Sequence, residues 1–314
     1  MARYLLARLA YTVPVALTVL VVIFLLLHLG PGDPAAQMAG DNATPEQIAA
    51  IRARLHLNEP LWVQFWIYFK QLLALDLGTS VYSGRPVLTL ILQRAEPTIL
   101  LALSTTLLSV LVAVPIGTLA AWRAGGGLDR VLIGFSVVGF SVPVFVIGYA
   151  LMQLFAITLG VLPVQGYKPL AVGVVDCVRS LALPTAALTC LFSALVARIT
   201  RATMIEVLAE DYIRTARAKG ARGPRIVVVH ALKNIGVPVV TIVGTSFASL
   251  LGGVVVTESV FNIPGMGRLT VDAISARDYP VVQGVMIAFA CVLVLVNVLV
   301  DLSYSLFDPR IRQG

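Results

Sequence analysis

The sequence predicts an all-α membrane protein: six transmembrane helices, an extracytoplasmic helical cap between helices 1 and 2, and a cytoplasmic helical hairpin between helices 4 and 5. The first observation behind this is composition. Of 314 residues, 58% are hydrophobic and only 12% charged, about half the charged share of an ordinary soluble domain. The second is where charge is missing. Residues 9–32, 97–122, 131–167, 180–197, 234–257 and 279–300 contain no Asp, Glu, Lys or Arg. Each run reaches the roughly 18–20 residues that a bilayer-spanning helix needs. The third is how basic residues alternate between connections. With the N-terminus inside, residues 1–8, 123–130, 198–233 and 301–314 are cytoplasmic and hold 14 of the 23 Lys and Arg but 6 of the 16 Asp and Glu. That bias follows the positive-inside rule and accounts for the pI of 9.6 without any nucleic-acid partner.

Residues 1–30 are assigned to the first transmembrane helix. "MARYLLAR" resembles the basic start of a signal peptide and "QMAG" a cleavage site. The apolar core of about 19 residues exceeds the roughly 7–15 of a signal sequence, so the helix is expected to be retained. Residues 31–96 form the cap. In "TPEQIAAIRARLHL", Thr44 is a helix N-cap, Pro45 takes the first helical position and Gln47 completes a capping box. "EPLWVQFWIYFKQLLALDLG" then predicts a second helix from Pro60 to a stop at Gly78, with Trp62, Trp66 and Tyr68 suited to the lipid headgroup region. The cap is either a platform for an external partner or a lid over the bundle.

Residues 97–314 form a five-helix core with spans at about 97–122, 131–160, 180–197, 236–257 and 280–302; Leu162, Pro163 and Gly166 are expected to end the second of these near residue 160. Pro115 and Pro143 are expected to kink their helices and free carbonyl groups. Gly117, and the four-residue repeat Gly244, Ala248, Gly252, make flat helix faces for close packing. These are features of helix packing and gating, and they also occur in static bundles.

Residues 198–235 are far longer than the 2–8 residues a bundle connection needs. Within them 202–219 predicts a helix, with Glu206, Glu210 and Asp211 early and Arg214, Arg217 and Lys219 late, matching the helix dipole. Glu210 is placed to pair with Arg214. Leu208, Tyr212 and Ala216 fall on one face, extended by Ile213; Gly220 is expected to end the helix at positive φ, and Pro224 to begin another. A protruding helix with an apolar-aromatic face and a basic rim suits docking on a protein.

The chain has no buried carboxylate relay of the kind proton-driven transporters keep, no phosphate-binding Gly-rich loop and no H-E-x-x-H motif. His28, His56 and His230 are far apart, and Cys177, Cys190 and Cys291 have no metal-ligand spacing. No catalytic, cofactor-binding or metal-ligating residue is assigned. An ion-coupled secondary transporter remains the alternative of another class.

"EDYIRTARAKG" followed by "HALKNIGVPVVT" resembles the cytoplasmic signature loop of the inner-membrane permease subunits of binding-protein-dependent ABC importers. Ala216 and Gly220 match its general form. Arg214 and Thr215 stand where Glu and Ala are expected, and Pro238 comes late; both departures resemble the dipeptide, oligopeptide, glutathione and nickel branch. "HLGPGDPAAQMAG", "DLGTSV", "TESVFNIPGMGR", "RDYPVVQG" and "NVLVDLSYSLFDPRIR" are similar to that branch in order and topology.

The resemblance implies a permease subunit at the bacterial inner membrane, multi-pass with both termini cytoplasmic. Its implied partners are a homologous second permease, two cytoplasmic ATPase subunits or domains that carry ATP and Mg, an extracytoplasmic solute-binding protein, and membrane lipid. No cofactor is implied on this chain. Leu208, Tyr212, Ile213, Arg214, Ala216, Arg217, Lys219 and Gly220 would form the ATPase coupling helix. Glu258, Phe261, Asn262, Pro264, Gly265 and Gly267 would form a turn facing the binding protein. The implied solute is a di- or oligopeptide or a glutathione-like peptide; the alternative with the same architecture is nickel or another small solute. The short 160–180 connection resembles the glutathione and short-peptide permeases.

Overall fold

A computed structural model describes residues 13–25, 33–40 and 43–307. The basic segments 1–8 and 308–314, the ends of the first helix and parts of the 28–40 and 297–312 motifs lie outside the described residues. All of the regular structure described is helical, apart from one isolated bridge between Thr79 and Pro86. Four helices are long and apolar enough to cross a membrane: Val87–Trp122, Val174–Ala209, Gly236–Val260 and Tyr279–Tyr304. The chain divides into two compact units. One comprises residues 5–96 and 264–294, the other 1–4, 97–263 and 295–314.

The first unit holds the apolar helix α1 (Val13–Leu25) and the cap. Asp33 caps α2 (Pro34–Ala39) by accepting from the Ala35 amide, and its carboxylate also pairs with Arg52 of α3 (Pro45–Arg54). The α3 capping box forms as the sequence predicts: Gln47 N–H donates to Thr44 Oγ1 at 3.4 Å, and Thr44 N–H to Gln47 Oε1 at 2.9 Å. Helix α4 (Leu61–Leu73) begins after Pro60 but stops well short of Gly78. Leu75 at φ 58° takes the left-handed turn, because the chain must double back through Gly78 before the next helix. At that point the motifs "DLGTSV" and "RDYPVVQG" meet. The buried Asp278 carboxylate accepts from the Ser80 hydroxyl and from the Val81 and Tyr82 amides, while Ser83 N–H donates to Ser80 Oγ. Val87, Ile91, Met266, Ala273, Val281 and Val285 form the adjoining core.

In the second unit, helix boundaries differ from the charge-free runs. Helix α5 (Val87–Trp122) continues through both Pro97 and Pro115, and α8 (Val174–Ala209) through Pro184. Absence of charge marks where lipid begins; helices run on into the polar zone because their backbone hydrogen bonds are internal. Pro143 does interrupt its span. Helix α6 (Gly127–Ser141) ends at an extended Val142, and α7 (Val144–Leu151) passes into a π-turn, Met152–Thr158, closed by Gly160 at φ 65°. Pro143 lacks the N–H that would have carried the ladder on.

Two close contacts fix α5, α6 and α8 near one end. A Cβ on Gly117 would lie 2.6 Å from the Ala197 carbonyl oxygen, so only glycine allows α5 and α8 to touch there. Arg201 of α8 makes a two-pronged pair with the buried Asp129 of α6, and Gly125 N–H donates to the same carboxylate at 2.8 Å. Asp129→Asn removes the partner of the Arg201 guanidinium and should therefore unfold at a lower temperature than the parent in detergent at neutral pH; an unchanged melting temperature would contradict the assignment.

Candidate functional site

The candidate site is the hairpin that follows α8. Glu210 leaves the helix with an extended backbone (ψ 148°) and starts α9 (Asp211–Ala218). The break explains one departure from expectation. Arg214 pairs with Asp211 at 3.1 Å instead of Glu210, which lies outside the helix. At the other end Gly220 has φ 81°; its N–H reaches the Arg217 carbonyl at 2.9 Å and Ala221 N–H the Ala216 carbonyl at 3.0 Å. That pair of bonds is a Schellman closure, which requires a left-handed residue and so favours glycine. Gly223 and Pro224 start the short α10 (Gly223–Arg225), and a π-turn (Ile226–Ala231) leads on to α11 (Gly236–Val260). Gly223 sits against Trp122, where a Cβ would be 2.7 Å from the indole ring.

An eight-residue helix is marginal in water by itself, so tertiary anchors must hold α9. Ile213 is fully buried, as are Ile226, Ala231 and Met204. Leu208, at the end of α8, packs against the cluster of Ala121, Met204, Ala231, Ile235 and Val239. Full burial of one such side chain stabilises by about 1.5–3 kcal/mol. Asn234 adds a polar tie, its amide nitrogen donating to Tyr212 Oη at 2.8 Å and to the His230 carbonyl at 2.7 Å. Burial lifts the Tyr212 phenol above its ordinary range while the Asn234 bond opposes it.

The predicted docking face is thus split. Ile213 and Leu208 turn into the chain; half-exposed Tyr212, half-buried Ala216, and exposed Arg214, Arg217, Lys219 and Gly220 remain outward.

The other predicted site residues are distributed differently. Glu258 and Phe261 are buried; Glu258 accepts from the Thr98 hydroxyl, and Phe261 packs against Gly148. Neither side chain presents itself to a partner in this structure. The turn lies at Asn262, exposed at φ 54°, and not at Pro264–Gly267. Gly265 caps helix α12 (Met266–Ser275), and Gly267 is in its first turn; Pro264 is half-buried. The Pro-Gly pair has the composition of a turn, but Gly265 is extended and caps a helix, with no left-handed residue between Asn262 and α12. In α11 a Gly244 Cβ would lie 2.5 Å from Val300 of α13 (Tyr279–Phe307), whereas Gly252 faces open space and Ala248 is half-buried. Among the described residues no cluster of His, Cys, Asp or Glu could hold a metal ion.

Sequence reasoning missed Asp129, Arg201 and Asn234, because pairing across 72 or 22 residues leaves no local pattern. Ser80 and Asp278 lay inside quoted motifs, yet their meeting was not readable from spacing.

Fold and site together define a multi-pass helical membrane component that carries an ordered, basic, protein-sized handle between two of its long apolar helices. Residues 113–313 match the family described as "Binding-protein-dependent transport system inner membrane component", and residues 1–102 match its companion N-terminal model. The chain belongs to this family of inner-membrane transport components, whose permease subunits lack ATPase activity. It is 54% identical over 312 residues to the "Probable peptide ABC transporter permease protein y4tP" of Sinorhizobium fredii (strain NBRC 101917 / NGR234), covering 99% of this chain and 100% of that protein. It is 42% identical to the glutathione transport system permease protein GsiC of Salmonella typhi and 40% to that of Escherichia coli O6:H1, each over 99% of both chains. In fold it is similar to the inward-facing MetNI methionine ABC transporter (TM-score 0.56, 16% identity, 70% of this chain and 96% of that one).

The anchors can be checked by amide hydrogen exchange over residues 211–221. Ile213→Asp, which buries a charge, should raise exchange across the whole segment. Gly220→Val should cost about 1–2 kcal/mol through its left-handed backbone and loosen the closing turn. Arg214→Ala removes an exposed pair contributing about 0–1 kcal/mol and should leave protection unchanged; if it loosens α9 as much as Ile213→Asp, the anchoring is misassigned.

Proposed function

We propose that this chain is the membrane-spanning permease subunit of an ATP-driven importer, and that with a homologous second permease it lines the pathway for short peptides of the dipeptide or glutathione class. The observation that carries the reading is identity of 40–54% over essentially the full length to permeases named for peptide and glutathione transport. The order of the α9 hairpin supports it, since a solvated loop would not need a buried isoleucine, a Schellman closure and a glycine pressed onto a tryptophan.

The arrangement proposed has six spans and both termini cytoplasmic. It takes the four long helices, α1 with its charge-free flanks, and Gly127–Thr158 as one crossing broken at Pro143. Labelling from outside at a cysteine placed at the exposed Arg222, beside Gly223, would contradict that orientation. Two cytoplasmic ATPase subunits or domains, holding ATP and Mg, seat α9 in a cleft, and an extracytoplasmic binding protein delivers the solute. Closure of the ATPases moves α9, and α8 and α11, which the hairpin connects, tilt with it. The charge-free central runs of the spans offer no charged group to select a solute, which leaves selection to the binding protein.

Proteoliposomes holding this chain with its second permease, ATPases and binding protein should take up a short peptide only when ATP is supplied. Ala216→Glu should insert normally but weaken capture of the ATPase about tenfold, since overpacking a fitted contact costs about 1–3 kcal/mol. Uptake by this chain alone, driven by an ion gradient, would refute the proposal.

A further inference from the structure

Helix α4 is amphipathic the wrong way round for a helix in water. Trp62, Trp66, Phe69 and Leu73 recur at intervals of four, three and four, so they form one stripe. That stripe points away from the protein: Trp62 is 75% exposed, Leu73 71% and Trp66 53%. The opposite side carries the glutamines. Gln64 is buried with its amide nitrogen donating to the Glu59 carbonyl at 2.7 Å, and Ile67 and Tyr68, with the exposed Gln71 at the rim, line an open cavity of about 350 Å³. A helix over a water-facing domain hides its apolar stripe and shows its polar one.

The neighbours of α4 say what covers the stripe. Its inner edge rests on α1: Phe24 meets Phe65 edge-on at 5.4 Å and Tyr68 at 5.7 Å. Helix α1 is itself an apolar helix with Val13, Val15 and Val22 exposed, so α4 lies beside a surface bathed in lipid. The single charge on α4 is Lys70, whose ammonium stands 5.4 Å from the Trp66 ring. Indole rings with a lysine reaching past them are the side chains favoured at the level of lipid headgroups.

We infer that α4 is an interfacial helix that lies in the headgroup region on the cap's side of the membrane, with Trp62, Trp66, Phe69 and Leu73 in lipid. It moors the cap to the bilayer surface, and membrane residence alone is required for this, whatever solute is carried. Lipid, not a binding protein, is then the occupant of this face. The arrangement also sets the height of the Ser80–Asp278 junction, because α4 leads directly into that loop within the same unit.

The chain's three tryptophans make the test direct. Trp122→Phe leaves only Trp62 and Trp66, both on α4; Trp122→Tyr serves if phenylalanine disturbs the seat of Gly223. The full chain is reconstituted in phosphatidylcholine vesicles, either unmodified or brominated high or low on the acyl chain. With an interfacial helix buried about 5–10 Å into the headgroup boundary, emission should fall at least about twofold in the shallow-brominated lipid and less in the deep one, with little quenching by aqueous acrylamide. Equal emission in brominated and unmodified lipid overturns the inference. Acrylamide quenching in that case places the stripe in water, and its absence places it under protein.

Discussion

The hairpin stands or falls with the burial of Ile213. Eight residues cannot hold a helix in water by hydrogen bonding alone, and every other large side chain of α9 is at least partly exposed. One isoleucine, fully enclosed, is therefore the apolar anchor of α9. The remaining features follow from that attachment. Glu210 must leave the helical backbone so that the chain can turn Ile213 inward. Gly220 takes the left-handed conformation that lets the chain turn back, and the return segment places Ala231 in the core with Met204 and Leu208. Gly223 must lack a side chain so that the segment can lie on Trp122. A basic rim held this firmly suits the lever proposed for it, whereas the same charges on an unanchored loop would satisfy only membrane topology.

Each unit also has a buried carboxylate that acts on the same principle. A buried carboxylate is costly unless its lone pairs are filled. Asp278 is filled by one hydroxyl and two amides of the Ser80–Tyr82 loop, and Asp129 by a guanidinium and an amide. In both cases the acid lies next to a helix end, where the chain changes direction, and the bonds reach a distant segment. The carboxylates thus act as joints, alongside apolar contact, glycine-mediated approach and hydrogen bonds such as that of Thr98 to Glu258.

Much of this was legible in the sequence, for identifiable reasons. Capping is local, so Thr44 with Gln47, and Gly220 with its positive φ, could be read directly. Charge-free runs located the apolar segments but not the helix ends, since α5 and α8 continue into charged sequence where lipid stops mattering. Proline could be read only in part. Pro143 broke its helix, while Pro97, Pro115 and Pro184 each sit within a continuous one. Helix periodicity placed Leu208 and Ile213 on an apolar face but could not say that the face turns inward, because that depends on residues 226–239 folding back beneath it. The outer turn was misread for a similar reason: Pro264 and Gly265 have turn composition, yet Asn262 takes the positive φ and the glycine starts a helix.

As proposed above, α9 docks on the ATPase through its outward face. Site-directed cross-linking in the assembled transporter, with single cysteines at Ala216 and at Leu208, tests this. Rapid cross-linking of position 216 to one cleft of the ATPase is expected, with none from position 208, which packs into this chain. Cross-linking from both positions at similar rates, or from neither, would contradict it.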